Sequence, residues 1–361
     1  MKALVFYNVG DVRYEPDWPD ARPPGKGEVK IATSWCGFCG TDLEDYERGG
    51  VIPVEKPHPL SGRKAPLVLG HEYSGRVAQL GPGVKGLKEG QRVAVECVRV
   101  CRQCYWCQRH QYALCANMVS VGQQDDGGMA EHFVIQAENC IPIPDDLGED
   151  VAALAEPIAV MIRAVRKARL QVGETVAVVG AGPIGLAGIA VASIAGASQV
   201  IAITHGGRRA QVAAEMGASL VLDSRQAGWR EMYTDATKGM LANVVFDTGG
   251  NVKAMRLALE LTGRAGRCVF VSVANEDIPL PGLDIILNEK EIIGSVAHTY
   301  DEEFTWAVRY LADGRINGAP MITSRIHLAD GVEKGIRKLR TNRDEIKILV
   351  TPHQSWVKEQ S

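Results

Sequence analysis

The sequence predicts an α/β protein of two domains, one of them a doubly wound parallel sheet, and three observations carry this. First, the stretch Thr175-Val176-Ala177-Val178-Val179-Gly180-Ala181-Gly182-Pro183-Ile184-Gly185 is a β-branched run that breaks into glycines and resumes as small apolar residues, which reads as strand, tight turn and helix. Second, helix-length and strand-length segments alternate after it: strands at 199–203, 220–222, 243–247 and 267–273, helices at 208–216, 229–238 and 252–261. Strands separated by helices of that length form a parallel sheet. Third, the first half is β-rich, with strands expected at 2–5, 29–32, 77–80, 92–95 and 130–135, set off by proline- and glycine-containing turns. At 361 residues the chain exceeds what one core usually organises.

The spacing Gly180, Gly182, Gly185 is the G-x-G-x-x-G pattern. Its first glycine permits the turn, its second lets backbone N–H groups approach a diphosphate, and its third lets helix pack close on strand. Pro183 and Ile184 open the helix, so a diphosphate is expected at the positive helix end.

Four of the nine cysteines, Cys101, Cys104, Cys107 and Cys115, fall in one short segment. Four thiolates at this spacing close a tetrahedral shell with no open position, the signature of a structural zinc. Reduced loop cysteines or an iron–sulfur cluster are the competing readings, but a ferredoxin-type run places proline after its last cysteine and here Ala116 follows. Of the other five, Cys36, Cys39, Cys97, Cys140 and Cys268, most read as buried small hydrophobes. Cys39 and His71 are ligand types that zinc prefers, although each alone is more often a core cysteine or a hydrogen-bonded histidine. Glu156-Pro157 lies in an apolar stretch expected to be helical over 151–169, either as a capped surface turn, the reading slightly favoured, or as a ligand held against a site.

A net charge of -3 without basic clusters argues against nucleic acid as a partner. Residues 175–204 carry no charged side chain, yet their glycines and Pro183 rule out a continuous membrane-spanning helix. No basic cluster followed by an apolar core opens the chain, so a cytoplasmic protein is expected. Helices at 302–313 and 330–342 and a strand at 346–350 do not continue the alternation. They are assigned to the first domain, giving 1–155 with 299–361 and 156–298.

Taken jointly, Cys39-Gly-Thr-Asp, Gly70-His71-Glu72, the four-cysteine lobe, Glu156-Pro157 and the glycine turn resemble the zinc-containing medium-chain alcohol and polyol dehydrogenases over essentially the whole chain. Ile52-Pro53-Val54, Pro57-His58-Pro59-Leu60 and Gly62-Arg63-Lys64-Ala65-Pro66 bring it closest to the 2,3-butanediol dehydrogenase branch. The resemblance implies a GroES-like catalytic domain joined to a Rossmann domain, and a homodimer or homotetramer. It also implies a catalytic zinc held by Cys39, His71 and Glu156, with Glu72 as a second or exchanging carboxylate and Asp42 orienting His71. Thr41 then accepts the alcohol proton. Glu44 stands at the outer end of the relay, where many relatives have histidine. The expected reaction is hydride transfer between a vicinal diol or small secondary alcohol and NAD(P). A sorbitol-, threitol- or glucose-type dehydrogenase of the same family is the alternative, and a non-catalytic nucleotide-binding relative is the reading from another class.

One departure concerns the cofactor. NAD-binding domains usually carry an acid about 20 residues beyond the glycine turn, for the ribose hydroxyls. This chain has Ile203-Thr204-His205-Gly206-Gly207-Arg208-Arg209 there. Thr204 replaces the acid, and Arg208 and Arg209 offer charge for a 2′-phosphate, so NADP is favoured over NAD. Alternatively, both arginines simply begin the next helix, facing water.

Overall fold

The structure is a computed structural model that describes residues 1–274 and 276–357. It divides into two compact units: Met1–Glu156, His298–Gly314 and the chain from Ile322 onward form the first, Pro157–Ala297 and Arg315–Met321 the second.

The second unit holds a six-stranded, wholly parallel sheet in the order Leu220–Asp223, Gln199–Thr204, Thr175–Val179, Ala242–Asp247, Thr262–Phe270, Glu291–Gly294. Chain order reverses beside Thr175–Val179, and a ligand crevice forms at the carboxyl ends of the strands at such a switch point. Strands covered on both faces are apolar throughout, and Val176, Ala177, Val178 and Val179 are all buried. The helix Pro183–Ile194 starts with proline in its first turn and buries every residue from Gly185 to Ala192. That explains why it carries no charge on any face. Gly180 has φ 101°, in the left-handed region, and a Cβ at Gly185 would run into the Gly180 carbonyl.

The first unit is built on a seven-stranded sheet. Its path runs Cys140–Pro142, Arg92–Val95, Glu72–Leu80, Glu28–Gly37, Lys347–Thr351, Ile322–His327, with His132–Gln136 also paired to Glu28–Gly37. A small sheet of Asp11–Glu15, Ala3–Asn8 and Leu67–Val68 lies in the same unit. Leu4, Phe6, Ile31, Tyr73, Phe133 and Val350 belong to one core cluster, in which the rings of Tyr73 and Phe133 lie 4.4 Å apart. Such an aromatic pair adds about 0.5–1.5 kcal/mol to its burial. One register matters for the site: Glu28–Gly37 pairs antiparallel with Glu72–Leu80, from Val29 opposite Leu80 to Gly37 opposite Glu72. The turn holding Cys39 is thereby brought level with His71 and Glu72.

Several expectations need correction. The helix expected at 151–169 is two, Glu149–Ala152 and Ala155–Lys167. Strands Glu291–Gly294 and Ile322–His327 were not anticipated, the latter pairing parallel to Lys347–Thr351 after the helical turns of 328–341. Residues 156 and 298 pack with the first unit rather than the second, and Arg315–Met321 packs with the second. Among the described residues no helix is long and apolar enough to cross a membrane.

Candidate zinc and dinucleotide sites

Cys39 is the N-cap of the helix Gly40–Arg48. Its backbone N–H donates to Asp42 Oδ2 at 2.9 Å, and its side chain accepts from the backbone of Asp42, a reciprocal cap. Asp42 is fully buried, and its Oδ1 faces His71 Nδ1 at 3.6 Å. Thr41 Oγ1 lies 3.5 Å from the other ring nitrogen of His71, Nε2. Burial alone would lower the His71 pKa, but Cys39, Asp42 and Glu156 hold it well above its ordinary value. The side chains of Cys39, His71 and Glu72 offer ligand atoms that all lie within 4.8 Å of one another.

Two carboxylates flank this pair, and each has its own buried cationic partner. Glu72 accepts from Lys347 Nζ at 2.7 Å, and burial keeps its carboxyl above the ordinary range despite Lys347. A Cβ at Gly37 would collide with the Glu72 carboxylate, so the glycine makes room for it. Glu156 sits in the first turn of Ala155–Lys167, buried rather than on a surface turn as the sequence slightly favoured. Its Oε1 is 3.1 Å from His298 Nε2. Burial pushes the Glu156 carboxyl up, but His298 more than offsets this and holds it below the usual range. Glu156 is not within the tight Cys39–His71–Glu72 set, although its charge acts on both His71 and Glu72. Glu44 lies half-buried on the helix Gly40–Arg48, its carboxyl raised by burial.

Thiolate, imidazole and carboxylate are the donors of catalytic zinc centres, and the Asp42–His71 pairing is the carboxylate–histidine arrangement that orients a zinc ligand. The residues fit the ion. The four-cysteine lobe fits a second. Its sulfurs lie within 4.8 Å of one another, with Cys101 3.5 Å from Cys115 and 4.0 Å from Cys107. A tetrahedral thiolate shell with zinc–sulfur bonds near 2.3 Å has edges of about 3.8 Å. Backbone N–H groups of Cys107 and Ala116 pull the Cys104 thiol down to about 6, whereas burial pushes Cys107 up to about 12. A cation at the centre is what lets all four ionise together. Beyond these cysteines, the lobe's apolar cluster among the described residues draws on Tyr112, Val100 and Met118.

In the second unit, Gly182 caps the helix Pro183–Ile194, so Gly180, Gly182, Pro183, Ile184 and Gly185 form the strand–turn–helix corner. Thr204 ends its strand with the side chain buried, while His205 and Arg208 are exposed and Arg209 is half-buried. Arg208 and Arg209 do open the helix Arg208–Glu215. A carboxylate is nevertheless present beside this loop. Asp223 ends the neighbouring strand opposite Thr204 and is gripped by Arg225 through two hydrogen bonds of 3.0 and 2.8 Å. Arg225 holds the Asp223 carboxyl down at about 2. A Cβ at Gly206 would press on both side chains of this pair. Sequence reading looked for an acid on the second strand and missed one at the end of the third.

Lys347, His298 and Glu96 were also missed. The available signal was a charge inside an apolar run, Val93-Ala94-Val95-Glu96-Cys97-Val98 and Ile346-Lys347-Ile348.

Residues 25–145 match the family described as "Alcohol dehydrogenase GroES-like domain", and residues 183–313 match the family described as "Zinc-binding dehydrogenase". The chain belongs to the zinc-binding medium-chain dehydrogenases, which are oxidoreductases. Among characterised relatives it is 35% identical to the (R,R)-butanediol dehydrogenase of Bacillus subtilis, over 98% of this chain and 100% of that protein. The crystal structure of 2R,3R-butanediol dehydrogenase from Bacillus subtilis superposes with a TM-score of 0.89 at 33% identity, covering 98% and 99% of the two chains. A zinc-binding dehydrogenase of Sinorhizobium meliloti 1021, solved bound to NADP, gives 0.88 at 27% identity over 97% and 99%.

Proposed function

We propose that the protein is a zinc-dependent dehydrogenase of vicinal diols or small secondary alcohols, with Cys39, His71 and a carboxylate from Glu156 or Glu72 holding the catalytic ion and Cys101, Cys104, Cys107 and Cys115 holding a structural one. The observation that carries this is the convergence of Cys39, His71 and Glu72 ligand atoms within 4.8 Å, backed by Asp42. Bound there, zinc supplies Lewis acidity toward an alcohol oxygen.

The chain's own residues do the rest. Asp42 fixes His71, so that Nε2 is the nitrogen presented to the metal. Thr41, beside that nitrogen, would take the alcohol proton and pass it outward, and Glu44, further along the same helix, would be the carboxylate at the outer end of the relay. The Gly180–Gly185 corner holds the dinucleotide diphosphate on backbone N–H groups.

NADP is our preferred cofactor. Support comes from Thr204 standing where NAD-binding domains usually carry an acid, from exposed Arg208, and from the NADP-bound relative. Arg225 adds a third guanidinium beside Gly206, and Asp223 opposes it with a carboxylate. A cytoplasmic homodimer or homotetramer is the expected assembly, by family resemblance.

Zinc analysis together with a screen of diols, acyloins and polyols against both cofactors tests the reading. Two zinc per chain and highest kcat/KM on a vicinal diol are expected. One zinc per chain with no alcohol oxidation would overturn it.

A further inference from the structure

His298 reaches the site from far along the sequence and is fully buried. Its two ring nitrogens face two different carboxylates: Nδ1 lies 2.7 Å from Glu96 Oε2 and Nε2 lies 3.1 Å from Glu156 Oε1. A carboxylate only accepts hydrogen bonds, so both contacts aim ring N–H groups outward along one line. Glu96 is itself pinned. Its Oε1 accepts from the Val98 backbone N–H at 2.8 Å, and Asn139 Nδ2 donates to the carbonyls of Glu96 and Val98 at 2.9 and 2.8 Å. Cys97 and Phe304 flank the ring, Phe304 with its centroid at 6.0 Å. Glu96 and His298 are fully buried and held from the backbone outward, so their end point, Glu156 Oε1, has little freedom.

We propose that Glu96 and His298 are positioning residues that hold Glu156 for the metal. This rests on the zinc reading above and deepens it. With Oε1 taken by His298, Oε2 is the oxygen left for a metal, so Glu156 binds through one oxygen from a fixed carboxylate. Glu72 differs in kind, because Lys347 contacts both of its oxygens. The two acids flanking Cys39 and His71 are therefore held differently: Glu156, outside the tight Cys39–His71–Glu72 set, is fixed through one oxygen with the other left free, whereas Glu72, inside it, is drawn by both oxygens toward an ammonium. Outer hydrogen-bond partners of ligating groups typically change metal affinity or activity by about 10–100-fold when removed.

The test is the rate at which full-length, zinc-loaded protein releases zinc to a chromogenic chelator, with melting temperature measured alongside. His298→Ala is expected to release one of its two zinc ions about 10–100-fold faster than the parent, the other unchanged. His298→Gln, which keeps an amide N–H for Glu156, should recover part of the difference. Glu96→Gln carries the same expectation and serves if His298→Ala does not fold. Folded variants that release zinc at the parent's rate overturn the positioning role while leaving the two-zinc reading intact. A parent that holds only one zinc overturns the site reading, and the positioning role with it.

Discussion

Lys347 Nζ donates to Glu72 Oε1 at 2.7 Å and to the Phe38 carbonyl at 2.9 Å, and neither Lys347 nor Glu72 has appreciable contact with solvent. Breaking a buried ion pair from one side leaves an uncompensated charge, a loss of about 3–5 kcal/mol. Lys347→Met should therefore lower the chemical-denaturation stability of the zinc-loaded protein by about that amount, and Lys347→Met with Glu72→Met should recover most of it. If the single variant unfolds at the parent's denaturant concentration, the pair has no structural role.

Cys39→Ala should abolish turnover and bring the zinc count from two to one per chain, with the fold and dinucleotide binding retained. The substitution removes one ligand of the open site and touches nothing in the four-cysteine lobe. Unchanged activity in a zinc-analysed preparation would sink the assignment.

Cys104→Ser should release the other zinc and lower the melting temperature, because Cys104 is the thiol already drawn toward ionisation by two backbone N–H groups. Chemistry should be lost only as the lobe loosens. A melting curve superimposable on the parent's would contradict the structural role.

Glu44 carries a carboxyl whose pKa burial raises, with Arg48 opposing. A proton acceptor works in its ionised form, so alcohol oxidation should rise as pH climbs through the Glu44 pKa and flatten above it. Glu44→Ala should remove that limb and slow oxidation modestly, and Glu44→His should retain activity near neutral pH with the limb moved toward the histidine range. An Ala variant with the parent's pH–rate profile would make Glu44 a bystander.

For the cofactor, the exposed positions are the useful ones. A carboxylate at Thr204 would be buried opposite Asp223, whereas His205 and Arg208 stand in solvent. The parent should prefer NADP in kcat/KM. His205→Asp combined with Arg208→Ala should move the NADP-to-NAD ratio toward NAD by about a hundredfold, if repulsion and the lost contact each contribute about 1.4 kcal/mol. A parent that already prefers NAD would mean that Arg208 and Arg209 serve only to open their helix.

The parts of the site that were legible in sequence are those in which chemistry sits at short spacing. Cys101 to Cys115 and Gly180 to Gly185 announce themselves because their partners are neighbours along the chain. Cys39, His71 and Glu156 needed the family resemblance, since only the pairing of Gly37 with Glu72 brings the first two level. Glu96 and His298 are 202 residues apart and Glu72 and Lys347 are 275, so each looks like an isolated charge until the sheet is assembled. The alternation of strands and helices was readable in the second unit from Thr175 to Phe270, but not beyond it, at Gly282–Leu287 and Glu291–Gly294. The strand Ile322–His327 was not readable either, because the polar run Thr323-Ser324-Arg325 breaks any alternation, and the segment is a strand through its pairing with Lys347–Thr351.

The contact between Gly185 and the Gly180 carbonyl has a consequence for how such an enzyme changes. Backbone meets backbone there, leaving no volume in which a side chain can vary, so the grip proposed for a diphosphate would be common to any dinucleotide the protein accepts. Choice among cofactors has to be exercised elsewhere, where side chains are free to be exchanged. The loop from His205 to Arg208 offers that freedom, with Asp223 and Arg225 beside Gly206 as its counterweight. Under the proposed reading, substitutions in this one solvent-facing bend would change the cofactor preferred while leaving the rigid corner untouched.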